Sequence, residues 1–382
     1  MRRIPITERI KEFAGDYSRE MENENNFKQG NSPKANLFEL AKELKEASTI
    51  ITTPKCKSVK GRILSYEDHK GNEYALLSDY VMAIHDNYDG INALLPSEYR
   101  SGILNKIDDI LVAYGISDIS DVKVKFHKKR IRPFFELVVE AMRYDVVQKK
   151  LMPKYIKKLG IKTCVYCNAQ FATTACPQEI IIKKKKPTIK DFVVACYELD
   201  HNIPKSKRPC LCTNFYNLQP SCSSCNRRKN NRDLGFSVYY EVGDTDTKPI
   251  HFVLDPADII RFRETNKGDG IKPHLCNEGK DTPPPNFDDV TPAGRFNHML
   301  GIQSIYDEYD DVVEEILWKH KIYSSGFMKA TITQMKSLCL EGFDLKRFIL
   351  DGYYDKEEDF LKRPLSIMKN DLWNQLNAVN SG

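Results

Sequence analysis

The chain has 382 residues, 41% hydrophobic and 29% charged, which supplies a sizeable core and excludes wholesale disorder. No run approaches the ~18 consecutive apolar residues of a membrane span, and the charged, apolar-poor amino terminus does not read as a secretory signal, so a cytoplasmic protein of two or three domains is expected. The formal net charge of +5, from 58 basic and 53 acidic side chains, is too mild to name a partner.

Residues 16–33 are polar and Asn/Glu-rich and read as a loop or connector. Ser32-Pro33 then opens a helix in which Leu37, Leu40, Ala41 and Leu44 share one face. Across 78–115, Tyr80, Ile84, Leu94, Leu95, Ile103, Ile107, Ile110 and Leu111 recur at helical spacings. The stretch 134–152 is expected to be one helix closed by Pro153, so that 1–155 form a mainly helical region. From Gly160 the texture changes to Cys-x-x-Cys pairs, β-branched runs and Asn-rich turns, a small strand-and-loop module over 156–235. Beyond it, 251–256 read as a short strand and turn, 264–293 as a long loop, and 297–340 and 357–377 as helices, giving an acidic, mainly helical region over 236–382. The fold class expected is α+β.

Charge is distributed unevenly. Residues 157–232 carry 15 Lys+Arg against 4 Asp+Glu, a net of +11, whereas 233–382 carry 17 against 26, a net of −9. A concentrated basic block is the footprint of a polyanion-binding module, although a charge run alone is also what a solvated lysine face looks like. Most of the informative cysteines fall in the same block. Eleven cysteines, an odd number, argue against a disulfide framework and for thiolate chemistry.

Four elements occur there in order: Cys164-Val165-Tyr166-Cys167, Glu198-Leu199-Asp200-His201, Asn217-Leu218-Gln219-Pro220-Ser221, and Cys222-Ser223-Ser224-Cys225-Asn226-Arg227-Arg228-Lys229. Two Cys-x-x-Cys knuckles supply the four ligands of a tetrahedral structural zinc. The 54 residues between the pairs exceed the usual ~15–20, so a module is inserted between the knuckles and holds the other elements. Two unrelated cysteine turns, or a redox pair, are the alternatives. Cys210-Leu211-Cys212 is a poorer knuckle and reads as a spare thiol pair; Cys176 and Cys196 are lesser rivals, and Cys56, Cys276 and Cys339 read as isolated buried thiols.

A lone histidine is usually structural, but His201 follows Asp200 at a strand end and precedes the turn Asn202-Ile203-Pro204. Asp200 can ligate a hard divalent cation, and a neutral His201 can take a proton from an attacking water. Asn226 can bring a second oxygen to the same metal, Asn217 can hold the intervening loop in register, and Arg227, Arg228 and Lys229 can pair with phosphate oxygens.

This order of elements resembles the HNH endonucleases of the ββα-metal (His-Me finger) superfamily. The resemblance spans about 164–232 and implies a ββα finger around one catalytic Mg²⁺ or Mn²⁺, with structural Zn²⁺ at the knuckles. It implies His201 as general base, Asn217 as the residue that orients it, and Asp200 and Asn226 as metal ligands. Glu198 has a less defined role: metal contact, substrate contact or strand-edge charge. A departure is the long stretch between Cys167 and Asp200. It contains a basic hairpin or loop in which Lys183, Lys184, Lys185 and Lys186 contact phosphate or simply face solvent. The layout beyond the finger is similar to nucleases of bacterial anti-phage systems of the Septu and retron-associated kinds, which work beside an ATPase. The chain has no G-x-x-x-x-G-K-[ST] phosphate loop of its own, so nucleotide hydrolysis would fall to a partner. DNA is the expected substrate. RNA cleavage by the same site chemistry, or a non-catalytic zinc-finger adaptor, are the competing functions. Phe126 to Arg130 form a small basic cluster that extends the nucleic-acid surface or is plain solvated face.

Overall fold

The computed structural model describes residues 3–27, 30–47, 62–65, 72–113, 116–125, 131–183, 186–191, 194–241, 243, 250–277, 279–280, 291–323, 326–327, 330–331, 333–334, 344–352 and 357–379. The Phe126–Arg130 cluster, Lys184, Lys185, Cys56 and Cys339 lie outside them. Among the described residues the chain is mixed helix and small sheets, an α+β protein, and no helix is long and apolar enough to cross a membrane.

The first helix corrects the expectation of a loop over 16–33. It runs Glu8–Glu22, followed by a 3-10 turn Glu24–Asn26, and the Thr7 side chain caps its start by accepting from the Ile10 amide at 3.4 Å. Its polar composition hides a narrow apolar stripe of Ile10, Ala14, Tyr17 and Met21, all buried. Helices Pro33–Ala47, Asn72–Asp86 and Gly102–Ala113 follow as the periodicity predicts. Leu37, Ala41 and Leu44 face Leu77, Tyr80 and Ile84 across a shared core, and the Ser78 hydroxyl donates to the Ala41 carbonyl at 2.8 Å.

The single helix expected over 134–152 is broken. Phe134–Ala141 ends at Met142, and Arg143 turns left-handed at φ 59°. A π turn over Val147–Leu151 then leads into the helix Met152–Leu159, which Gly160 ends at φ +75°. Pro153 sits in the first turn of that last helix instead of closing the earlier one. A proline there has no amide to satisfy, and the widened turn just before it relieves the clash of its ring with the carbonyl four residues back. A three-stranded sheet of Arg62–Ser65, Val122–Lys125 and Arg132–Pro133 also lies in this region, which periodicity presented as helical.

The central stretch holds the hairpin Gln178–Lys183/Lys186–Asp191 over the basic insertion and, after it, the antiparallel pair Glu198–His201 and Leu218–Ser221 followed by the helix Ser223–Lys229. Past it, Ile250–Val253 pairs with His274–Asn277, a strand inside the stretch read as a long loop, and the helix Pro256–Thr265 separates them. Helices Pro292–Leu300, Ile302–Tyr306 and Asp310–Ile322 agree with expectation, as does Ser366–Val379, while Glu357–Lys362 is a 3-10 turn.

The three sequence regions share one hydrophobic core. Ile4–Ile6 pairs in parallel with Tyr239–Glu241, joining the start of the chain to the segment after the basic block. Tyr17 packs edge-on against Tyr155 and tilts onto Phe215, while its hydroxyl donates to the Thr213 carbonyl at 2.6 Å. The carboxy-terminal segment is tied to the first knuckle through Asn168, left-handed at φ 51°. Its side-chain amide donates to Thr163 Oγ1 at 2.9 Å and to the Phe360 and Arg363 carbonyls at 3.2 and 3.3 Å, and its oxygen accepts from the Ile367 amide at 3.1 Å. Asn168→Ala would leave these buried groups unpaired and put a residue that tolerates the left-handed conformation less well than Asn in that turn. A loss of about 3 kcal/mol is expected, read as a lowered midpoint in urea unfolding.

Candidate functional site

The site is built on the two knuckles. Cys164 and Cys167 close one turn, held by the Asn168 amide on the Cys164 carbonyl at 2.9 Å and by the Val165 amide on the Pro220 carbonyl at 3.2 Å. Cys222 and Cys225 sit at the start of the helix Ser223–Lys229, where the Asn226 amide bonds the Cys222 carbonyl at 3.0 Å. All four sulfurs are buried and lie within 4.8 Å of one another, with Cys167 and Cys222 at 4.0 Å. A tetrahedral ion with Zn–S bonds of ~2.3 Å needs sulfurs about 3.8 Å apart, so the group can hold a metal ion such as zinc. Hydrogen bonds to Cys164 hold the Cys167 and Cys222 thiols below the usual range and push Cys225 above it, and burial raises Cys164. Four thiols this close share their protons, and a cation displaces them.

The register of the central hairpin pairs Leu218 with His201, Gln219 with Asp200 and Ser221 with Glu198. Strand alternation puts Glu198 and Asp200 on one face and Leu199 and His201 on the other. On the first face, the Tyr166 hydroxyl from inside the first knuckle donates to Asp200 Oδ2, and Gln219 Nε2 donates to the Tyr166 oxygen at 2.7 Å. Lys229 Nζ lies 3.1 Å from Asp200 Oδ2 and donates to the His201 carbonyl at 2.6 Å. Asn226 Nδ2 donates to Glu198 Oε2 at 2.6 Å. Burial raises the Asp200 carboxyl above its ordinary value, with the Lys229 ammonium and the Tyr166 hydroxyl pulling the other way.

On the second face the His201 ring is 4.7 Å from the Tyr144 ring and only 6% of the residue is exposed. Its Nε2 lies 3.0 Å from the Cys212 carbonyl. A carbonyl only accepts, so Nε2 carries the hydrogen and Nδ1 keeps the lone pair. Burial, then the positive charge of Lys205, draws its pKa down to about 3, so the ring is neutral near pH 7. Asn217 is fully buried and fastens the loop after His201: its oxygen accepts from the Ile203 amide at 2.7 Å, and its Nδ2 donates to the Ile203 and Leu211 carbonyls, both at 3.1 Å.

The structure thus places two side-chain pairs, Glu198 with Asn226 and Asp200 with Lys229, on one strand face, with His201 on the opposite face and Asn217 beneath the loop. Lys229 departs from expectation. It is fully buried and spent on Asp200 and the hairpin backbone, so it is not a surface contact for phosphate. Arg227 and Arg228 are exposed, although one Arg228 nitrogen donates to the Leu300 carbonyl at 2.9 Å. Lys183 pairs with Lys186 at the closed end of the basic hairpin. Cys210 and Cys212 stand outside the four-cysteine group as buried thiols, Cys210 pushed up to about 12 by burial. Cys276 is buried too, whereas Cys176 and Cys196 are exposed. Three contributors escaped sequence reasoning: Tyr166, the backbone of Cys212, and Tyr144. Tyr166 was visible only as a variable position inside a knuckle, and a backbone carbonyl leaves no sequence signal.

No family model, curated protein or solved structure matches the chain.

Lys229→Met should cost about 3–5 kcal/mol, because it leaves the Asp200 charge buried without its partner. Adding Asp200→Asn to it should recover part of that loss in thermal or urea unfolding. His201 supplies a pH signature. The folded ring titrates near 3 and the unfolded one at its ordinary 6.5, so between these values the unfolded chain binds more protons. Its contribution is complete above pH 6.5 and is lost as the pH falls toward 3, at up to about 1.4 kcal/mol per pH unit. The difference in stability between the parent and His201→Gln, measured without added divalent metal, should grow with pH over that interval and flatten above it.

Proposed function

We propose that the chain is a zinc-stabilised, metal-dependent endonuclease of the ββα-metal type that hydrolyses phosphodiester bonds, DNA being the primary substrate. The observation that carries this reading is His201. It is a neutral imidazole whose tautomer is set by the Cys212 carbonyl, beside a carboxylate, at the end of a strand in a hairpin–helix unit. The four-cysteine group supports structural zinc, which fastens the first knuckle to the start of the helix. The excess of basic residues over 157–232 supports a polyanionic substrate.

In this reading His201 Nδ1 takes a proton from water, the water oxygen bonds to phosphorus, and the bond from phosphorus to the leaving sugar oxygen breaks, that oxygen gaining a proton from solvent. The Cys212 carbonyl steadies the imidazolium through Nε2–H, and Asn217 keeps the loop that carries this carbonyl in place. Asp200 and Asn226, with Glu198 beside Asn226, are the residues that would hold Mg²⁺ or Mn²⁺ through oxygen. Such an ion supplies charge stabilisation at the scissile phosphate. Lys229 and Tyr166 hold the Asp200 carboxylate in position. Arg227 and Arg228 are the exposed cations of the helix that face a backbone.

One observation favours a second reading. His201 is only 6% exposed and Asp200 is already bridged by two donors, as in a finger that binds nucleic acid without cutting it. A plasmid-nicking assay with added Mg²⁺ or Mn²⁺ separates the two. His201→Ala should cut the rate by about 10²–10⁴ while zinc content stays at the parental value; losing the buried ring lowers the unfolding midpoint, so the rates are compared at a temperature where both chains are folded. Full cleavage by that variant, or none by the parent, sinks the nuclease assignment. Asn226→Ala should raise the metal concentration needed for half-maximal cleavage. Parallel digestion of duplex DNA, single-stranded DNA and RNA ranks the substrates, and duplex binding should weaken with salt by a log–log slope of roughly −0.9 per phosphate contacted.

A further inference from the structure

Directly after His201 the chain enters the wall of a second feature. A cavity of about 760 Å³ lies between the Pro96–Arg100 turn, the helix Gly102–Ala113 and the segments 202–208 and 233–237. Its size falls in the range of small-ligand sites. Two polar atoms in its wall are buried without a hydrogen-bond partner among the described residues: Asn202 Oδ1 and Ser237 Oγ. Asn202 is 4% exposed, and its Nδ2 is already committed to the Phe236 carbonyl at 3.2 Å. A buried acceptor left unpaired costs about 1–3 kcal/mol, so two on one cavity mark a place where a partner with N–H or O–H groups belongs.

The charges around the cavity narrow the partner. Arg208 is committed to Asp108 and the Tyr99 carbonyl. Asp118 and Asp233 are turned onto backbone amides of their own turns, those of Ser120 and Gly235, at 2.9 Å each. Arg100 and Lys207 are exposed cations that line the cavity, and their side chains have no hydrogen bond or ion pair among the described residues. Two uncommitted cations suit one phosphate, and the three carboxylates nearby disfavour a triphosphate. Ile203 and Phe236 add apolar wall, suited to the faces of a flat ring.

We infer that this cavity is a nucleotide subsite that takes one nucleobase with an N–H on Asn202 Oδ1 and its phosphate at Arg100 and Lys207. Asn202 follows His201 in the chain, so occupancy would hold a nucleotide next to the strand that carries the proposed base. That it serves the strand being cut rests on the nuclease reading; nucleotide binding itself does not. A base held in this way would be unstacked, which single-stranded or distorted substrates allow at least cost.

The test is calorimetric titration of the full-length His201→Ala chain without added divalent metal, so that binding is read independently of cleavage. The probes are the 5′-mononucleotides of DNA and RNA, with inorganic phosphate and the free nucleosides as controls. Saturable binding of a mononucleotide, weaker for phosphate or nucleoside alone, is expected. Adding Arg100→Ala and Lys207→Ala, both exposed, should reduce the affinity by about tenfold or more with the unfolding midpoint unchanged. Asn202→Ala should shift the preference among bases. Absence of saturable binding at millimolar concentration, or an affinity indifferent to the Arg100/Lys207 pair of substitutions, overturns the inference. Competition by a short single-stranded oligonucleotide assigns the subsite to the polymer strand, and failure to compete assigns it to a free nucleotide; the nucleotide class stands in either case. Cleavage by the parent chain is scored separately, so an inactive protein that still binds mononucleotides defeats the nuclease reading and leaves this one intact.

Discussion

Four sulfurs within 4.8 Å of one another are the constraint on which the central part of this protein depends. They join Cys164 and Cys167 to Cys222 and Cys225 across 54 intervening residues, and closing a loop of that length costs entropy that short strands and turns repay poorly. An ion bound by four thiolates supplies ~10–16 kcal/mol of apparent binding energy in small modules, enough to offset it. The knuckles then set the rest. The first fixes Tyr166, whose hydroxyl fixes Asp200; the second fixes the start of the helix whose later residues, Asn226 and Lys229, reach Glu198 and Asp200. The surroundings reinforce the clamp, because Tyr306 donates to the Cys167 carbonyl at 2.6 Å and Asn168 holds the segment 360–367.

What was legible in the sequence follows from what spacing can encode. Ligand positions carry a strict local pattern, so the two Cys-x-x-Cys turns pointed to a four-cysteine group able to hold a metal ion even though their separation exceeds the usual one. The basic insertion reads in sequence as a hairpin or a loop, and the structure resolves the choice as a hairpin whose β-branched residues flank the charged turn. Tertiary context overrode local signals elsewhere. The helix Glu8–Glu22 looked like a connector because a stripe of four buried residues suffices when one of them is a tyrosine packed into an aromatic cluster. Pro153 looked like a terminator, yet a proline is equally at home in a first turn. Lys229 is the instructive case within the site. A lysine after two arginines has every outward mark of a phosphate contact, and only the three-dimensional arrangement reveals a carboxylate and a carbonyl waiting for it.

The two faces of the strand Glu198–His201 divide the electrostatic labour. On the Asp200 face a positive charge already neutralises the carboxylate, and the lysine that supplies it also holds the hairpin backbone. Any cation that joins Asp200 must therefore share it with Lys229, and like charges at short range weaken each other's hold. A strictly all-protein cage would not tolerate this. In the proposed reading a substrate phosphate beside the pair would offset the excess charge, so metal and substrate would support each other there.

On the His201 face the same economy applies to protons. A ring held down to about 3 stays neutral near pH 7, and in the proposed reading the Cys212 carbonyl would compensate the imidazolium that proton abstraction makes. A substrate phosphate near the imidazole would, in the same reading, raise its affinity for a proton, so the proposed base would be stronger in the complex than in the free chain. The cavity whose wall includes Asn202 is where the inferred nucleotide would bring such a charge. In that inference a nucleotide at Arg100 and Lys207 would lie against Asn202, the residue after His201, whose neighbour Ile203 is fastened by Asn217. In the proposed reading, the ring that burial keeps neutral near pH 7 is the one that would take the proton from water.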